Sequence, residues 1–158
     1  MTENEDILVS VRNGVGVVTL NRPKAINSLN DVMVDGLQQA LTAWEHDDAV
    51  KAVLLTGAGE RGLCAGGDVV ALYHSAKADG SYARQFWWDE YLLNAHIGRY
   101  PKPYIALMDG IVMGGGVGVA AHGNIRIVTE KTKMGMPEVG IGFIPDVGGT
   151  YLLSRSPG

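Results

Sequence analysis

Two glycine-rich turns constrain the fold of this chain more than any other feature. Residues 64–68 form the first turn, which follows the apolar run 52–56, and residues 113–116 form the second, which follows the apolar run Tyr104–Met108. Each turn precedes a stretch that is typical of a helix, such as the small apolar residues 117–121. A buried strand, a tight turn and a helix in succession are characteristic of α/β folds. The pattern therefore predicts an α/β fold.

The remaining elements follow from hairpin and helix patterns. Ile7–Arg12 and Val15–Leu20 are rich in β-branched residues, and the Asn13-Gly14 pair between them is a strong hairpin signal. Other elements predicted from apolar spacing and from glycine and proline positions are a helix from Asn30 or Asp31 to Trp44, a helix over residues 81–99, a strand over residues 125–129 and a helix that begins in residues 148–153. No linker or internal repeat interrupts this order, which predicts a single domain over residues 1–158.

The carboxyl end of the sequence is abrupt for such a domain. The last predicted helix has only begun when Ser156, Pro157 and Gly158 close the sequence. An apolar helix face that has little to pack against is unfavourable. We therefore expect the chain to be truncated at its carboxyl end.

Composition narrows the classes of partner and location. The 158 residues are 46% hydrophobic, which is enough to bury a core, and carry a formal net charge of −4. Lysine and arginine are scattered, so no basic face suits nucleic acid, and no apolar stretch is long enough to span a bilayer. The single cysteine, Cys64, fits a reducing compartment, and residues 1–6 lack the features of a secretory signal or a transit peptide. We therefore expect a cytoplasmic protein.

The glycine-rich turns have a possible chemical role. Backbone N–H groups near Gly67 and Gly115 can lie unpaired beside helix amino termini, where they suit an anion or charge developing on a carbonyl oxygen. Alternatively, the glycines serve only tight turns and close helix packing. A dinucleotide-binding fold is a third interpretation, but residues 114–118 lack its glycine spacing. The turns alone leave the first two interpretations open.

Glu138 and Asp146 are the candidate acid or base residues. Both lie in residues 136–149, a segment rich in glycine, proline and apolar residues. A carboxylate there is either a solvated loop charge or a desolvated group whose raised pKa suits acid, base or nucleophilic chemistry. The apolar neighbours favour the second interpretation, because a solvated loop is usually richer in lysine, serine and asparagine.

Other reactive or aromatic side chains have a simpler structural interpretation. No motif places a histidine beside Cys64, and His122 follows an apolar helix, where a hydrogen-bonded packing role is common. The three other histidines lack ligand spacing, so no metal site is expected. The aromatic residues 86–88 are most simply helix packing, although one ring could line an acyl pocket.

Four ordered motifs carry a resemblance to a known family. They are, in chain order, residues 20–29, 63–68, 109–118 and 136–150. Through these motifs the chain resembles crotonase-type acyl-CoA enzymes from about Ile7 to its last residue. The specificity of the match rests on the presence of all four motifs in one order.

The resemblance implies a fold and a binding mode. The fold would be one of stacked ββα units, in which the N–H groups of Gly67 and Gly115 hold the oxygen of a CoA thioester. CoA would be part of the substrate, no separate cofactor is expected, and a homo-oligomer is possible. The CoA-binding residues that the resemblance implies are Lys24, Ala25, Ala65, Gly67 and Asp68, the last at the start of the following helix.

Acidic positions select a branch within this family. Hydratases of the family usually carry two catalytic glutamates, and this chain has Gly118 in place of the first and Glu138 in place of the second. Asp146 adds a carboxylate where hydratases tend to have glycine. With these positions and residues 89–94, the chain resembles the 3-hydroxyisobutyryl-CoA hydrolase branch. The resemblance implies that Glu90 contacts the substrate and that the pathway is valine breakdown.

The resemblance leaves the mechanism and two alternatives open. Glu138 either attacks the thioester carbonyl to give a mixed anhydride or activates a water molecule that does, while Asp146 orients Glu138 and the substrate hydroxyl or passes protons. An enoyl-CoA isomerase is the alternative enzyme, since Asp146 could move a proton between substrate carbons. A fragment that binds CoA without turnover is the non-catalytic alternative.

Overall fold

The computed structural model describes residues 6–156 and contains eight strands and five α-helices there. The strands are β1 Ile7–Arg12, β2 Val15–Leu20, β3 Ala52–Gly57, β4 Gly62–Cys64, β5 Tyr104–Met108, β6 Ile111–Met113, β7 Ile125–Val128 and β8 Lys133–Gly135. The helices are α1 Asp31–Glu45, α2 Val69–Lys77, α3 Ser81–Gly98, α4 Gly115–Ala121 and α5 Gly149–Leu153. Two 3-10 helices, Pro23–Ala25 and Glu138–Ile141, lie in the connections.

The strands form a five-stranded and a three-stranded sheet. The larger sheet has the order β1-β2-β3-β5-β7, in which only the β1-β2 pair is antiparallel. Asn13 and Gly14 join this pair with positive φ values of 50° and 80°, as a tight hairpin turn requires. The smaller sheet has the order β4-β6-β8, and its strands are all parallel. The predicted hairpin and the α/β fold class are confirmed.

A unit of two strands and a helix repeats along the chain. In each unit a strand of the larger sheet is followed by a three-residue strand of the smaller sheet and then by helical structure. The three units are β3-β4-α2, β5-β6-α4 and β7-β8 with the 3-10 helix Glu138–Ile141. This arrangement confirms the predicted stacked ββα fold. Because β4, β6 and β8 are parallel neighbours, the turns that follow them lie at one edge of the smaller sheet.

The core lies between the larger sheet and the helices. On β2 the side chains of Val18 and Leu20 are fully buried, and α1 directs an apolar face of residues at helical spacing against β1 and β2. Asn30 caps α1, since its side chain accepts a hydrogen bond of 3.0 Å from Met33 N–H. Helix α3 packs against α1, α2 and α4. It thereby covers the edge of the smaller sheet, where the glycine-rich turns lie.

Several short elements differ from the sequence-based expectations. The strands β4, β6 and β8 were not predicted, because three residues are too few to show a two-residue period. Strand β7 is exposed at all four positions as the last strand of the sheet order. Two segments lie outside the described residues, namely residues 1–5 of the acidic opening and residues 157–158. The latter, together with Ser156, suggested the truncation. No helix within residues 6–156 combines the length and the apolar character needed to cross a bilayer.

Asn27 fixes the loop before α1 to the turn between β3 and β4. Its side chain is fully buried and donates hydrogen bonds of 3.0 Å to the carbonyl oxygens of Ala58 and Gly62, and it accepts one of 2.9 Å from Arg22 N–H. Its φ of 53° is in the left-handed region that asparagine tolerates better than most residues. Loss of this side chain would leave the buried carbonyl group of Gly62 and the partly buried Ala58 carbonyl and Arg22 N–H without this partner.

We expect Asn27→Ala to lower the free energy of unfolding by about 3 kcal/mol, because each unsatisfied buried group costs about 1–3 kcal/mol. Urea unfolding followed by circular dichroism measures this change. Gln39→Ala, at an exposed position of α1, is the control and should stay within about 0.5 kcal/mol of the unchanged protein. Equal unfolding midpoints for the two variants would contradict the role given to Asn27.

Candidate active site

The two glycine-rich turns lie side by side. They follow β4 and β6, which pair in parallel, and a Cβ atom placed on Gly115 would lie 3.3 Å from the nitrogen of Gly67. Gly115 is the first residue of α4, so its N–H has no acceptor in the helix. Within residues 6–156 neither glycine N–H donates a hydrogen bond. The two N–H groups are therefore available to a single acceptor placed between them.

A cavity of about 540 Å³ opens in front of these N–H groups. Its walls are largely apolar and include the rings of Trp87 and Phe143, which stack on each other with centroids 5.2 Å apart. Phe86 also lines the cavity, whereas Trp88 is 65% exposed on the other side of α3. Of the predicted site residues, the cavity brings together Gly67, Gly115, Glu90, Glu138, Asp146 and Ala65.

Glu138 lies in the turn after β8, at the start of the 3-10 helix Glu138–Ile141. Its side chain is buried, and its Oε2 atom has no hydrogen-bond partner among the described residues. Its Oε1 atom lies close to Gly114, since a Cβ atom added to that glycine would be 2.6 Å from it. Burial, together with the charge of Asp146, raises the pKa of Glu138 above its ordinary value. Of the two interpretations of this carboxylate, the structure favours the desolvated one.

Asp146 is held by a tyrosine of α3. The hydroxyl of Tyr91 donates a hydrogen bond of 2.6 Å to Asp146 Oδ2. Burial, and then this carboxylate, raise the pKa of Tyr91, so the hydroxyl keeps its proton. Sequence reasoning missed Tyr91, since 55 residues separate the pair and no local pattern links them.

Glu90 is the most buried of the three carboxylates in the cavity, with 2% of its surface exposed. It lies on the face of α3 that also buries Phe86, Leu93 and Ile97. Its Oε1 atom has no hydrogen-bond partner among residues 6–156. Burial, and then the charges of Asp146 and Glu138, raise the pKa of Glu90 to about 8. A lone glutamate on a helix is usually a surface charge, but Glu90 is buried.

A second cavity, of about 600 Å³, adjoins the first and shares Ala65, Gly67 and Val69 with it. Four of the five predicted CoA-binding residues line it, and they are Ala25, Ala65, Gly67 and Asp68. Lys24 does not line this cavity, and its side chain is exposed in the 3-10 helix Pro23–Ala25.

Asp68 caps helix α2 and therefore lies at the start of that helix, where it was expected. Its carboxylate accepts hydrogen bonds of 3.3 Å from Ala71 N–H and 2.9 Å from the guanidinium of Arg22. Burial opposes ionisation of Asp68, but these hydrogen bonds outweigh it and lower its pKa. Arg22, which sequence reasoning missed, also lines the second cavity.

Cys64 and His122 have structural environments. Cys64 is fully buried, and burial raises the pKa of its thiol to about 12, so it is a poor nucleophile. His122 Nε2 lies 2.7 Å from the carbonyl oxygen of Val147, which fits the predicted packing role. Among residues 6–156 no group of three or more His, Cys, Asp or Glu side chains is arranged to hold a metal ion.

Gly118 leaves no room for a larger side chain. A Cβ at this position would lie 2.8 Å from Val147 Cβ and 2.9 Å from Asn94 Oδ1. Both contacts are closer than real side chains adopt without rearrangement. The position where hydratases usually carry their first glutamate is therefore filled by neighbouring side chains in this protein.

Comparison with known proteins identifies similar chains. A model of the family described as enoyl-CoA hydratase/isomerase matches residues 15–158. The protein named 3-hydroxyisobutyryl-CoA hydrolase, mitochondrial, from Gallus gallus is 46% identical over 97% of this chain and 40% of its own length. Its namesake from Danio rerio is 50% identical over 90% of this chain and 37% of its own length. The chain thus spans about 40% of the length of these relatives.

A solved structure is similar at higher identity. The crystal structure of a protein named carnitinyl-CoA dehydratase, from Mycobacterium thermoresistibile, is 77% identical, with a TM-score of 0.96 over 98% of this chain and 46% of that chain. The similar structure and the family match confirm the resemblance to crotonase-type enzymes and its fold.

The names of the relatives correct the expected location. The relatives from Gallus gallus and Danio rerio are both named as mitochondrial proteins, which contradicts the expected cytoplasmic location. The expectation of a cytoplasmic protein is wrong because a lone cysteine shows only that the chain has no internal disulfide. It does not distinguish one reducing compartment from another.

Proposed function

The chain belongs to the enoyl-CoA hydratase/isomerase family, and from this we propose that the protein hydrolyses 3-hydroxyisobutyryl-CoA to 3-hydroxyisobutyrate and CoA. One observation carries the proposal: Glu138 and Asp146 share an apolar cavity with the free N–H groups of Gly67 and Gly115. The names of the relatives supply the acyl group. The same names suggest a place in valine breakdown.

The thioester oxygen binds between the N–H groups of Gly67 and Gly115. These groups stabilise the negative charge that develops on this oxygen when a nucleophile attacks the carbonyl carbon. Because the donors are fixed in the backbone, they need no rearrangement during the reaction. The thioester chain leads from there into the second cavity, where Ala25, Ala65 and Asp68 contact CoA.

Glu138 supplies the nucleophile by one of two routes. In the first, a carboxylate oxygen of Glu138 bonds to the acyl carbon, the carbon–sulfur bond breaks, and CoA leaves as a thiolate that takes up a proton. Water then hydrolyses the mixed anhydride. In the second, Glu138 removes a proton from water as that water bonds to the acyl carbon, the carbon–sulfur bond then breaks, and CoA leaves as a thiolate that takes up the proton from Glu138. Both routes need only side chains and water, so we expect no cofactor besides the CoA of the substrate.

Labelled water distinguishes these routes. Over many turnovers in water enriched in heavy oxygen, the anhydride route places label in the Glu138 carboxylate, because water attacks either carbonyl of the anhydride. Mass spectrometry of the peptide that contains Glu138 measures the label. A carboxylate that stays unlabelled favours the activated-water route.

Dehydration of a hydroxyacyl-CoA is the second candidate function, since the protein named carnitinyl-CoA dehydratase is 77% identical to the chain. Addition or loss of water across a double bond usually needs two carboxylates placed to handle two protons. The tight contacts at Gly118 leave no space for the glutamate that hydratases carry there. Isomerisation of an enoyl-CoA, with Asp146 as the proton carrier, is the remaining enzymatic alternative.

Three substrates separate these candidates. The longest natural form of the protein is incubated with 3-hydroxyisobutyryl-CoA, a 3-enoyl-CoA and a 2-enoyl-CoA, while free thiol and enoyl absorbance are recorded. Rapid release of thiol from the first substrate, without conversion of the others, supports hydrolysis. Conversion of an enoyl-CoA without thiol release favours the isomerase or the hydratase, and binding without conversion favours a non-catalytic protein.

We expect Tyr91→Phe to lower kcat for thiol release by about 10- to 100-fold with less than about threefold change in KM. The change removes a hydrogen bond to a carboxylate, which contributes about 1.5–3 kcal/mol, and so loosens the position of Asp146. Steady-state kinetics measure both constants. Tyr151→Phe, at a residue 56% exposed, is the matched control. Equal kcat values for both variants would exclude a positioning role for Tyr91.

A further inference from the structure

The charge balance of the first cavity conflicts with an oxyanion unless a carboxyl group holds a proton. Among its described lining residues, three are carboxylic acids and none is lysine, arginine or histidine. An oxyanion that forms beside three negative charges in an apolar cavity would be strongly repelled. At least one of Glu90, Glu138 and Asp146 must therefore be neutral during the reaction that we propose above.

The surroundings of the three carboxyl groups indicate which one is neutral. Asp146 is needed as the acceptor of a hydrogen bond of 2.6 Å from the hydroxyl of Tyr91. Glu138 must be ionised to act as a nucleophile or a base. Glu90 has neither requirement, is 2% exposed, and has an Oε1 atom without a partner among residues 6–156.

Glu90 also lies next to the paired N–H groups. A Cβ atom on Gly115 would overlap Glu90 Oε1 and would lie 3.3 Å from Gly67 N. The carboxyl group of Glu90 therefore borders the same small space as the two backbone donors. A proton on this group is in place to be shared with an oxygen that occupies this space.

We propose that Glu90 is a third donor of the oxyanion site, a neutral carboxylic acid whose O–H group donates a hydrogen bond to the thioester oxygen beside the N–H groups of Gly67 and Gly115. The proton stays on Glu90 throughout, so no bond to it breaks. This inference rests on the proposed hydrolysis, and it assigns to Glu90 a chemical role in addition to substrate contact.

The titratable groups around Glu90 come from four elements. Glu138 faces it from the 3-10 helix, Asp146 from the loop before α5, Cys64 from β4 and Tyr91 from the next position of α3. Burial keeps the thiol and the phenol protonated, so the other two titratable neighbours, Glu138 and Asp146, are both carboxylic acids. Burial and these neighbours raise the pKa of Glu90 to about 8, which keeps its proton in place at neutral pH.

Two substitutions at this position test the proposal in the longest natural form of the protein. Release of thiol from 3-hydroxyisobutyryl-CoA is measured between about pH 6 and pH 9.5, with enzyme-free blanks. The unchanged protein should lose kcat above about pH 8, where Glu90 ionises. Glu90→Gln, whose amide still donates, should keep at least about a tenth of kcat at pH 7 and lose this alkaline decline. Glu90→Leu, without a donor, should lose about 100-fold or more of kcat at pH 7, where the unchanged protein keeps the proton on Glu90.

Two outcomes would overturn the proposal. One is a Glu90→Gln variant as inactive as Glu90→Leu, which would show that the carboxylate form is needed. The other is an active Glu90→Gln variant that keeps the alkaline decline of the unchanged protein, which would assign that decline to another group. Thermal unfolding of each variant shows whether a loss of activity reflects a loss of folded protein.

Infrared spectroscopy tests the proton on Glu90 without any turnover. The carbonyl stretch of a protonated carboxylic acid should be present at pH 7 in the unchanged protein and in the exposed control Glu130→Gln, and absent in Glu90→Gln. A spectrum at pH 7 without this band would refute the neutral acid. If the protein released no thiol but showed the band, the proposed hydrolysis would fail and the neutral Glu90 would stand.

Discussion

Glu138→Gln should reduce kcat for release of CoA thiol from 3-hydroxyisobutyryl-CoA by at least about 1,000-fold. The amide can neither attack the acyl carbon nor remove a proton from water, so both routes for Glu138 are lost. The substitution keeps the shape of a side chain that is buried and makes no side-chain hydrogen bond through Oε2 within residues 6–156. Free thiol measured under saturating substrate gives the effect on kcat.

Glu130→Gln is the matched control for this prediction. It makes the same chemical change at an exposed position in the turn between β7 and β8. Its kcat should stay within about twofold of the unchanged protein, since surface substitutions of this type rarely change stability or activity. If Glu138→Gln retained more than a tenth of the activity while the control was normal, another residue would have to supply the nucleophile.

The second large effect is expected at Gly115. An alanine there would place its methyl group against Glu90 Oε1 and 3.3 Å from Gly67 N, in the space assigned to the thioester oxygen. We expect kcat to fall by about 100- to 1,000-fold, as for the loss of a donor in other oxyanion sites. Binding of CoA itself should change little, because the contacts that we propose for it lie in the adjoining cavity. Kinetics with the thioester and calorimetry with free CoA measure the two effects separately.

Gly140→Ala is the control for Gly115→Ala. A Cβ on Gly140 meets no atom within 4 Å, and this glycine does not line the first cavity. Its kinetic constants should equal those of the unchanged protein. Normal kcat in Gly115→Ala, with the methyl group accommodated, would mean that the thioester oxygen binds elsewhere.

Local patterns predicted the parts of the fold that have a strong local signal. The Asn13-Gly14 turn indicated the first hairpin, a cap-type residue indicated the start of α1, and the prolines that follow α3 indicated its end. The three-residue strands β4, β6 and β8 have no such signal, yet they bring the glycine-rich turns and Glu138 together. The resemblance to a family, rather than residue spacing, therefore indicated that these distant segments form one site.

Glu90 shows what the sequence pattern contained and what it lacked. Its position three or four residues from Phe86 and Leu93 places it on the apolar face of α3, a signal that a buried carboxylate is present. Nothing local indicates which groups surround it, because Glu138 and Asp146 follow about 50 residues later in the chain. Tyr91 and Arg22 were missed for the same reason, since their partners are distant in sequence.

The parallel order of the smaller sheet divides the chemistry among separate repeats. The segment after β4 contributes Gly67, the segment after β6 contributes Gly115, and the segment after β8 contributes Glu138. The proposed donors to the oxyanion and the proposed nucleophilic group thus come from independent modules on one common edge. Evolution or an engineer can exchange the third module while the first two continue to bind a thioester, so one scaffold can acquire a new reaction without rebuilding its core.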